Sequence, residues 1–350
     1  WYGLDTLRRV LHLVLLLALF IAVLTGVASS VAPVPSTAAL VISPGGALVE
    51  QLEGSPLDRA IAQFNNQAEP QTLVRDITDS LDYAANDDRI KTVVLDLDGL
   101  ESGGLAKLQT IAQAIDKVRA AGKKVIAFGN GYTRDQYYLA SRADEVIMHD
   151  LGMVYLEGYE YYRMFFKNAL DKLFIDVNIF KVGEYKSFVE PFIRNDMSAA
   201  DREASQRWIG SLWGAWERDV SAARGLEVKA LDDYSNEFAG HIENAGGHAA
   251  KAAIAAHLVD RTMSRPEFDD YITGLVGPDD AGDGSYSSIG FKEYLAATAI
   301  ERKLAEPHER NVAIIVAAGE IVDGEAPPGT VGGDTLAYQI REARLDDSVD

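Results

Sequence analysis

Thr92-Val-Val-Leu-Asp-Leu-Asp98, the amphipathic stretch from Gly104 to Ala120 closed by Gly122, and Lys124-Val-Ile-Ala-Phe128 together decide the fold class. The two flanking runs are almost continuously apolar, as strands covered on both faces are, and the stretch between them has helical spacing. Strand, helix, strand at this spacing is a βαβ unit, and such units build parallel sheets. The pattern continues outward. Ala39-Ala-Leu-Val-Ile-Ser43 reads as a buried strand, Thr72 to Ala84 as a helix, Gln136 to Ser141 as a short helix and Glu145-Val-Ile-Met148 as a further strand. The fold class is α/β.

The chain of 350 residues is 47% hydrophobic and 25% charged, enough for one large domain or two with a sizeable core. With 33 basic against 53 acidic residues its net charge is −20, so a nucleic-acid partner held by phosphate contacts is not expected. There are no cysteines, which removes disulfides and thiolate chemistry but leaves the redox compartment open.

The N-terminal end has a different character. After Arg8 and Arg9 no Asp, Glu, Lys or Arg occurs before Glu50, and Val10 to Ala28 is nearly all Leu, Val, Ala, Ile and Phe. That is close to the roughly 20 apolar residues of a membrane-spanning helix. A Ser- and Pro-containing linker follows over residues 29–37. A secretory signal peptide, with Gly26-Val27-Ala28 as its cleavage site, is the competing reading. Under both, the arginines stay on the cytoplasmic side and the remainder is exported.

From Ser198 the pattern turns helical. Ser198-Ala-Ala-Asp201 resembles a capping box, and Trp208, Leu212, Trp216 and Val220 follow at helical spacing, a stripe that reads as packing. A repeat then emerges. Leu40-Val-Ile-Ser-Pro-Gly-Gly-Ala-Leu-Val49 matches Ala313-Ile-Ile-Val-Ala-Ala-Gly-Glu-Ile-Val322. Thr72-Leu73 with Ile77 matches Thr335-Leu336 with Ile340, and Asp87-Asp88 matches Asp346-Asp347. In this register the step from the isoleucine to the aspartate pair is shorter in the second copy by about one helical turn. The expected organisation is a cytoplasmic N-terminus (1–9), an anchor (10–28), a linker (29–37), a first α/β repeat (38–197), a mostly helical extension (198–310) and a truncated start of a second repeat (311–350).

Several familiar chemistries have no support. Phosphate-loop, dinucleotide-binding, zincin and nucleophile-elbow motifs do not occur. Asp279-Asp-Ala-Gly-Asp-Gly284 imitates a calcium loop but places Ala281 third and Gly290 twelfth, where ligands are required. His241, Glu243, His248 and His257 share no helical face, so no metal and no other cofactor is expected.

The distinctive segment is Phe180-Lys-Val-Gly-Glu-Tyr-Lys-Ser-Phe-Val-Glu-Pro-Phe192. Gly131-Tyr-Thr-Arg-Asp-Gln-Tyr-Tyr-Leu-Ala-Ser141, Phe192-Ile-Arg-Asn-Asp-Met197 with Arg207-Trp-Ile-Gly210, and Val331-Gly-Gly-Asp-Thr335 with Ile340-Arg341 accompany it. In these segments the sequence resembles the long-form signal peptide peptidase A (protease IV) family, membrane-anchored serine peptidases related to the Clp protease and crotonase folds. The resemblance extends over almost the whole chain, as its N-terminal half. It implies a spiral of βαβ units and a Ser–Lys dyad divided between two tandem copies. The first copy supplies the lysine, and the matching position is Lys186. The serine belongs to an Ala-Ser-Gly-Gly context that does not occur in this sequence. At the corresponding place in the first copy stand Thr133-Arg134-Asp135-Gln136, with Arg134 at the nucleophile position.

A lysine acting as base near neutral pH must be brought down from about 10.4 towards 7, and desolvation is the usual means. Val182, Tyr185, Phe188, Val189 and Phe192 offer apolar cover in the sequence, whereas Glu184 and Glu190 would oppose the shift if turned towards the amine. Ser187 is a poor nucleophile for Lys186, because adjacent side chains of an extended segment point to opposite sides. The turn Asp98-Gly-Leu-Glu-Ser-Gly-Gly104 between strand and helix resembles the family's oxyanion loop, and in this copy it reads as structural.

The expectation is a membrane-anchored serine endopeptidase degrading cleaved, hydrophobic signal peptides. It would be a homo-oligomer, held in the bacterial inner membrane by one span through residues 10–28, with its bulk outside the cytoplasm. The 350-residue stretch alone is expected to be inactive. The rivals are a non-catalytic membrane-anchored scaffold with a degenerate peptidase fold, and a crotonase-type acyl-CoA enzyme, which the export signal disfavours.

Overall fold

The computed structural model describes residues 33–279, 285–305 and 311–349, together with residues 5, 6, 8, 9, 11–17 and 20. Residues 11–17 are helical. Most of the expected anchor, the first residues of the linker and most of the calcium-like loop lie outside the described residues. Among the described residues no helix is long and apolar enough to cross a membrane.

Four strands form the centre of the fold: β1 (Ala38–Ile42), β4 (Ile90–Asp96), β6 (Lys124–Gly129) and β8 (Glu145–Met148). They pair in parallel in the order β8-β6-β4-β1. Each is followed by a short strand that leaves the large sheet: β2 (Gly46–Val49), β5 (Leu100–Ser102), β7 (Tyr132–Thr133) and β9 (Val154–Tyr155). β2 lies between β5 and β3 (Gln71–Leu73), and β7 pairs with β9. Every turn of the chain thus adds one strand to the large sheet and one to a smaller layer.

Strand alternation divides the apolar residues between two cores. Leu40, Val93, Leu95, Val125, Ala127 and Val146 face one side, where helix α2 (Val74–Ala84) presents Val74, Ile77 and Leu81 and helix α3 (Leu105–Ala120) presents Leu108, Ile111 and Ile115. Ala39, Val94, Ile126, Phe128 and Ile147 face the other. The ordered loop between β2 and β3 carries helix α1 (Pro56–Phe64), capped by Ser55.

Two sequence expectations shift in register. The helix expected from Thr72 starts at Val74, because Thr72 belongs to β3 opposite Leu48 and its hydroxyl bonds both the N–H and the C=O of Gly45. The strand expected to reach Asp98 ends at Asp96, and the Asp98 carboxylate accepts from the backbone and side-chain nitrogens of Asn130.

Helix α4 (Arg134–Ala140) lies between β7 and β8, and after β9 comes the arm of residues 157–197, with the short helices α5 (Lys167–Lys172) and α6 (Glu190–Ile193). Helix α7 (Ala199–Arg224) follows, capped by the Ser198 hydroxyl, which accepts from the Asp201 N–H. Trp216 and Val220 of its stripe are buried, and Trp216 stacks on Trp213 at 5.0 Å, while Trp208 remains partly exposed. The helices α8 (Val228–Asn236), α9 (Phe238–Asn244) and α10 (Ala249–Ala255) lead to β10 (Arg261–Thr262), helix α11 (Arg265–Val276) and β11 (Ser288–Gly290). Residues 198–310 therefore do more than extend the fold with helices. β10 and β11 are the two edge strands of the large sheet, and α11 covers its second face with Phe268, Ile272 and Val276. Phe268 stacks on Phe128 at 4.3 Å between ring centres.

Helices α12 (Phe291–Ala297) and α13 (Ala299–Ala305) precede the C-terminal elements β12 (Gly319–Val322), β13 (Gly329–Gly332) and α14 (Gly333–Leu345). Here the repeat becomes explicit in three dimensions. Gly46 and Gly319 open equivalent strands with positive φ, +67° and +106°, and a Cβ on either would strike a carbonyl oxygen, of Pro70 or Gly329. β12 pairs in parallel with β13 as β2 does with β3, and each second strand runs directly into a helix.

The strand ladders set the register of the helices. Leu336 and Ile340 correspond to Ile77 and Leu81, one helical turn from the sequence-based match. With that shift Asp346 falls on Asp87. Both carboxylates accept from the N–H two residues later, Arg89 in one copy and Ser348 in the other, each at 2.9 Å. The first rung of the main ladder recurs as well, since Asn311 bridges Val349 in parallel as Ala38 does Ile90.

Candidate active site

The Thr133–Gln136 turn begins α4 with a capping box, in which the Thr133 N–H donates to Gln136 Oε1 at 2.9 Å. Arg134, at the expected nucleophile position, is held on every side. Its Nε donates to Asp135 Oδ1 at 2.9 Å, its Nη1 to the Gly158 carbonyl at 3.1 Å, and its guanidinium lies 4.0 Å from the centre of the Tyr159 ring. Its own carbonyl accepts from Trp216 Nε1 at 3.3 Å.

Asp135 is buried, and its second carboxylate oxygen accepts from the Gly103 N–H at 3.0 Å. The Gly99–Gly104 segment, read as a turn but carrying β5, therefore has one of its amides engaged by a carboxylate of the chain itself. Gln136 fixes the same turn by donating to the Leu100 carbonyl at 3.0 Å. The corner is a structural lock, in which a cation and a carboxylate of the chain itself satisfy each other and the surrounding backbone.

Tyr137 and Tyr138, next on α4, are fully buried. Their hydroxyls donate to the Leu258 carbonyl at 2.7 Å and to Asp219 Oδ2 at 2.6 Å. Burial pushes both phenols well above the ordinary tyrosine range, so they remain neutral donors.

Lys186 lies elsewhere, on the arm. Gly183 to Lys186 forms a turn closed from the Lys186 N–H to the Gly183 carbonyl, with Gly183 at φ +107°, so the local backbone is not the extended strand used to judge Ser187. Lys186 is exposed. Three of the apolar residues read as its cover turn outward, with Val182 86% exposed, Phe188 84% and Tyr185 55%, whereas Val189 is half-buried and Phe192 stacks on Phe166. The Ser187 carbonyl accepts from Arg163 Nη2 at 2.9 Å.

What fixes the foot of this turn went unread in the sequence. Arg163 donates through Nη1 to Asp201 Oδ2 at 2.9 Å and through Nη2 to the carbonyls of Ser187 and Phe188, at 2.9 and 3.3 Å. Glu190 is buried and accepts from the Ser198 N–H at 3.0 Å. The Ser198 to Asp201 pattern was legible as a helix cap, but nothing in its spacing shows that Asp201 also receives an arginine from residue 163.

With this geometry in hand, known proteins give the chain its class. Residues 117–270 match the model of peptidase family S49. The chain is 36% identical over 304 residues to Protease 4 of Salmonella typhi, covering 87% of this chain and 47% of that protein. It is 34% identical over 315 residues to Protease 4 of Haemophilus influenzae, covering 87% and 51%. A serine protease named SPPA, from the chloroplast of Arabidopsis thaliana, is 24% identical over 302 residues, covering 85% and 42%. These matches support the signal peptide peptidase A family, and the chain spans about half the length of the curated relatives it matches. Among solved structures, an enoyl-CoA hydratase of Mycobacterium avium subsp. paratuberculosis is similar at a TM-score of 0.30 and 16% identity, covering 65% of this chain and 73% of that one.

Proposed function

We propose that this chain is the lysine-bearing portion of a membrane-anchored serine endopeptidase that degrades cleaved signal peptides, with Lys186 as general base. The observation that carries this reading is the pairing of a locked first-copy corner with the opening of a second copy. Arg134, which the resemblance aligns with a nucleophile, is locked with Asp135 in the first repeat, whereas residues 311–349 begin the same fold again, down to the Asn311–Val349 rung. The nucleophilic serine is assigned to that second copy, and the spiral is of the Clp protease/crotonase kind, each turn feeding two sheets. The 350-residue stretch is inactive alone.

The outward apolar side chains around Lys186 support assembly into a homo-oligomer, in which they become the cover that the amine needs. A hydrophobic peptide suits the same surface. The apolar run 10–28 behind Arg8 and Arg9 supports a single span in the bacterial inner membrane, N-terminus inside and the peptidase body outside.

The test is hydrolysis by the full-length protein, purified from membranes, of a synthetic peptide copying an apolar signal-peptide core. Cleavage within the apolar core, abolished by a serine-directed inhibitor, is the expected outcome. No cleavage by a correctly assembled protein points instead to the membrane-anchored scaffold.

A further inference from the structure

The arm that carries Lys186 is mostly without a core of its own. Met164, Phe174, Phe180, Val182 and Phe188 are strongly exposed, so apolar packing inside the chain does not fix the Gly183–Lys186 turn. One feature of the arm is buried and polar. The Arg163 side chain is 12% exposed and that of Asp201 7%, and Glu190 is buried beside them.

These groups form a closed circuit around the foot of the lysine turn. Arg163 joins Asp201 to the carbonyls of Ser187 and Phe188, the two residues that follow Lys186. The Ser187 carbonyl also accepts from the Glu190 N–H at 2.9 Å. The Glu190 carboxylate accepts from the Ser198 N–H, and the Ser198 hydroxyl accepts from the Asp201 N–H. The first turn of α7, which belongs to the packed body, is thereby connected to the backbone that carries the amine.

We propose that Arg163 is a positioning residue for the peptidase reaction: it fixes the direction in which the Lys186 turn presents its amine, by bridging Asp201 on α7 to the Ser187 and Phe188 carbonyls. This inference rests on the assignment of Lys186 as base. A guanidinium is required because its planar fork serves a carboxylate on one nitrogen and backbone carbonyls on the other. A lysine is a single point charge. It can neutralise Asp201 but cannot hold the same geometry across three acceptors.

The experiment compares Arg163→Lys, the double variant Arg163→Leu/Asp201→Leu and Lys186→Ala with the unaltered full-length protein. The double variant leaves no unpaired buried carboxylate, so it separates loss of positioning from loss of fold. Peptide hydrolysis gives kcat and KM, and hydrogen exchange reads the amides of residues 183–190. For both Arg163 variants kcat falls roughly 10- to 100-fold, the order expected when a catalytic group is displaced by about 1 Å, while KM stays within about threefold. Exchange over 183–190 rises about tenfold or more, and that of β4 and β6 does not change.

Unchanged exchange in both variants overturns the inference whatever Lys186 does. Full turnover in Arg163→Lys beside an inactive Lys186→Ala overturns it while leaving the base assignment standing. Full turnover in Lys186→Ala removes the base assignment, and with it anything for Arg163 to position.

Discussion

The packed body and the arm are made of similar residues put to opposite uses. In β1, β4, β6 and β8 the apolar side chains are buried on both faces, and α2, α3 and α11 close the cores above and below. Between residues 157 and 197 the chain is equally rich in Phe, Tyr, Val and Met, yet most of those side chains face outward. Hydrophobicity alone does not bury a residue. Burial requires a backbone that pairs, and among the described residues the arm joins no sheet; the short helices α5 and α6, the Tyr161–Trp208 and Phe166–Phe192 ring contacts and the Arg163 circuit hold it. This outward apolar surface beside a lysine is what supports the proposed homo-oligomer.

The largest stability effect is expected in the body. Phe268→Ala removes a ring that is fully buried and stacked on Phe128, and should cost about 3–5 kcal/mol by denaturant unfolding. A loss below about 1 kcal/mol would mean that α11 does not close the second face as described.

A smaller and pH-dependent effect is expected at Glu145 on β8. Burial raises its pKa, but hydrogen bonds from Lys124, Tyr271 and Arg261 outweigh that and hold it below the ordinary glutamate value. A carboxylate depressed in the folded state adds stability above its unfolded pKa of about 4.3, and that stability is lost as pH falls through the lower folded value. Glu145→Gln should therefore lower Tm at pH 7 and much less at pH 3. An equal loss at both would break the assignment.

The smallest effect is expected in the arm. Phe180→Ser with Phe188→Ser replaces two outward rings, and should shift the unfolding free energy of the isolated chain by less than about 0.5 kcal/mol. The same change should weaken self-association in sedimentation experiments on the full-length protein. A large loss of stability without any effect on association would make the arm an ordinary part of the body.

The body was largely legible in the sequence because its strands are covered on both faces and so read as unbroken apolar runs. The cap at Ser198 was legible from Ser and Asp three residues apart. The short strands were not. β10 has two residues, and its place at the sheet edge is set by pairing with Ile147 and Met148 rather than by any pattern of its own.

The repeat was found, but one turn out of register along its helix. Thr72-Leu73 and Thr335-Leu336 are alike in sequence, and each threonine hydroxyl also bonds both the N–H and the C=O of a single residue, Gly45 in one copy and Ala326 in the other. Thr72 does this from a strand and Thr335 from a helix. Side-chain identity misled where the ladder decides.

At the candidate site, Lys186 came into view only through resemblance to a family. Its local spacing is that of many exposed lysines, and three of the apolar neighbours that promised cover in the sequence face outward. Arg163 could not be found by spacing, since its partners lie up to 38 residues away.

The central claim is that this exposed lysine does the proton chemistry once the protein is whole. Its most direct test is kcat of peptide hydrolysis by the assembled full-length protein carrying Lys186→Ala. The account predicts a fall of about 10²- to 10⁴-fold, the usual contribution of a general base, with the oligomer intact. Undiminished turnover in an intact oligomer would contradict it.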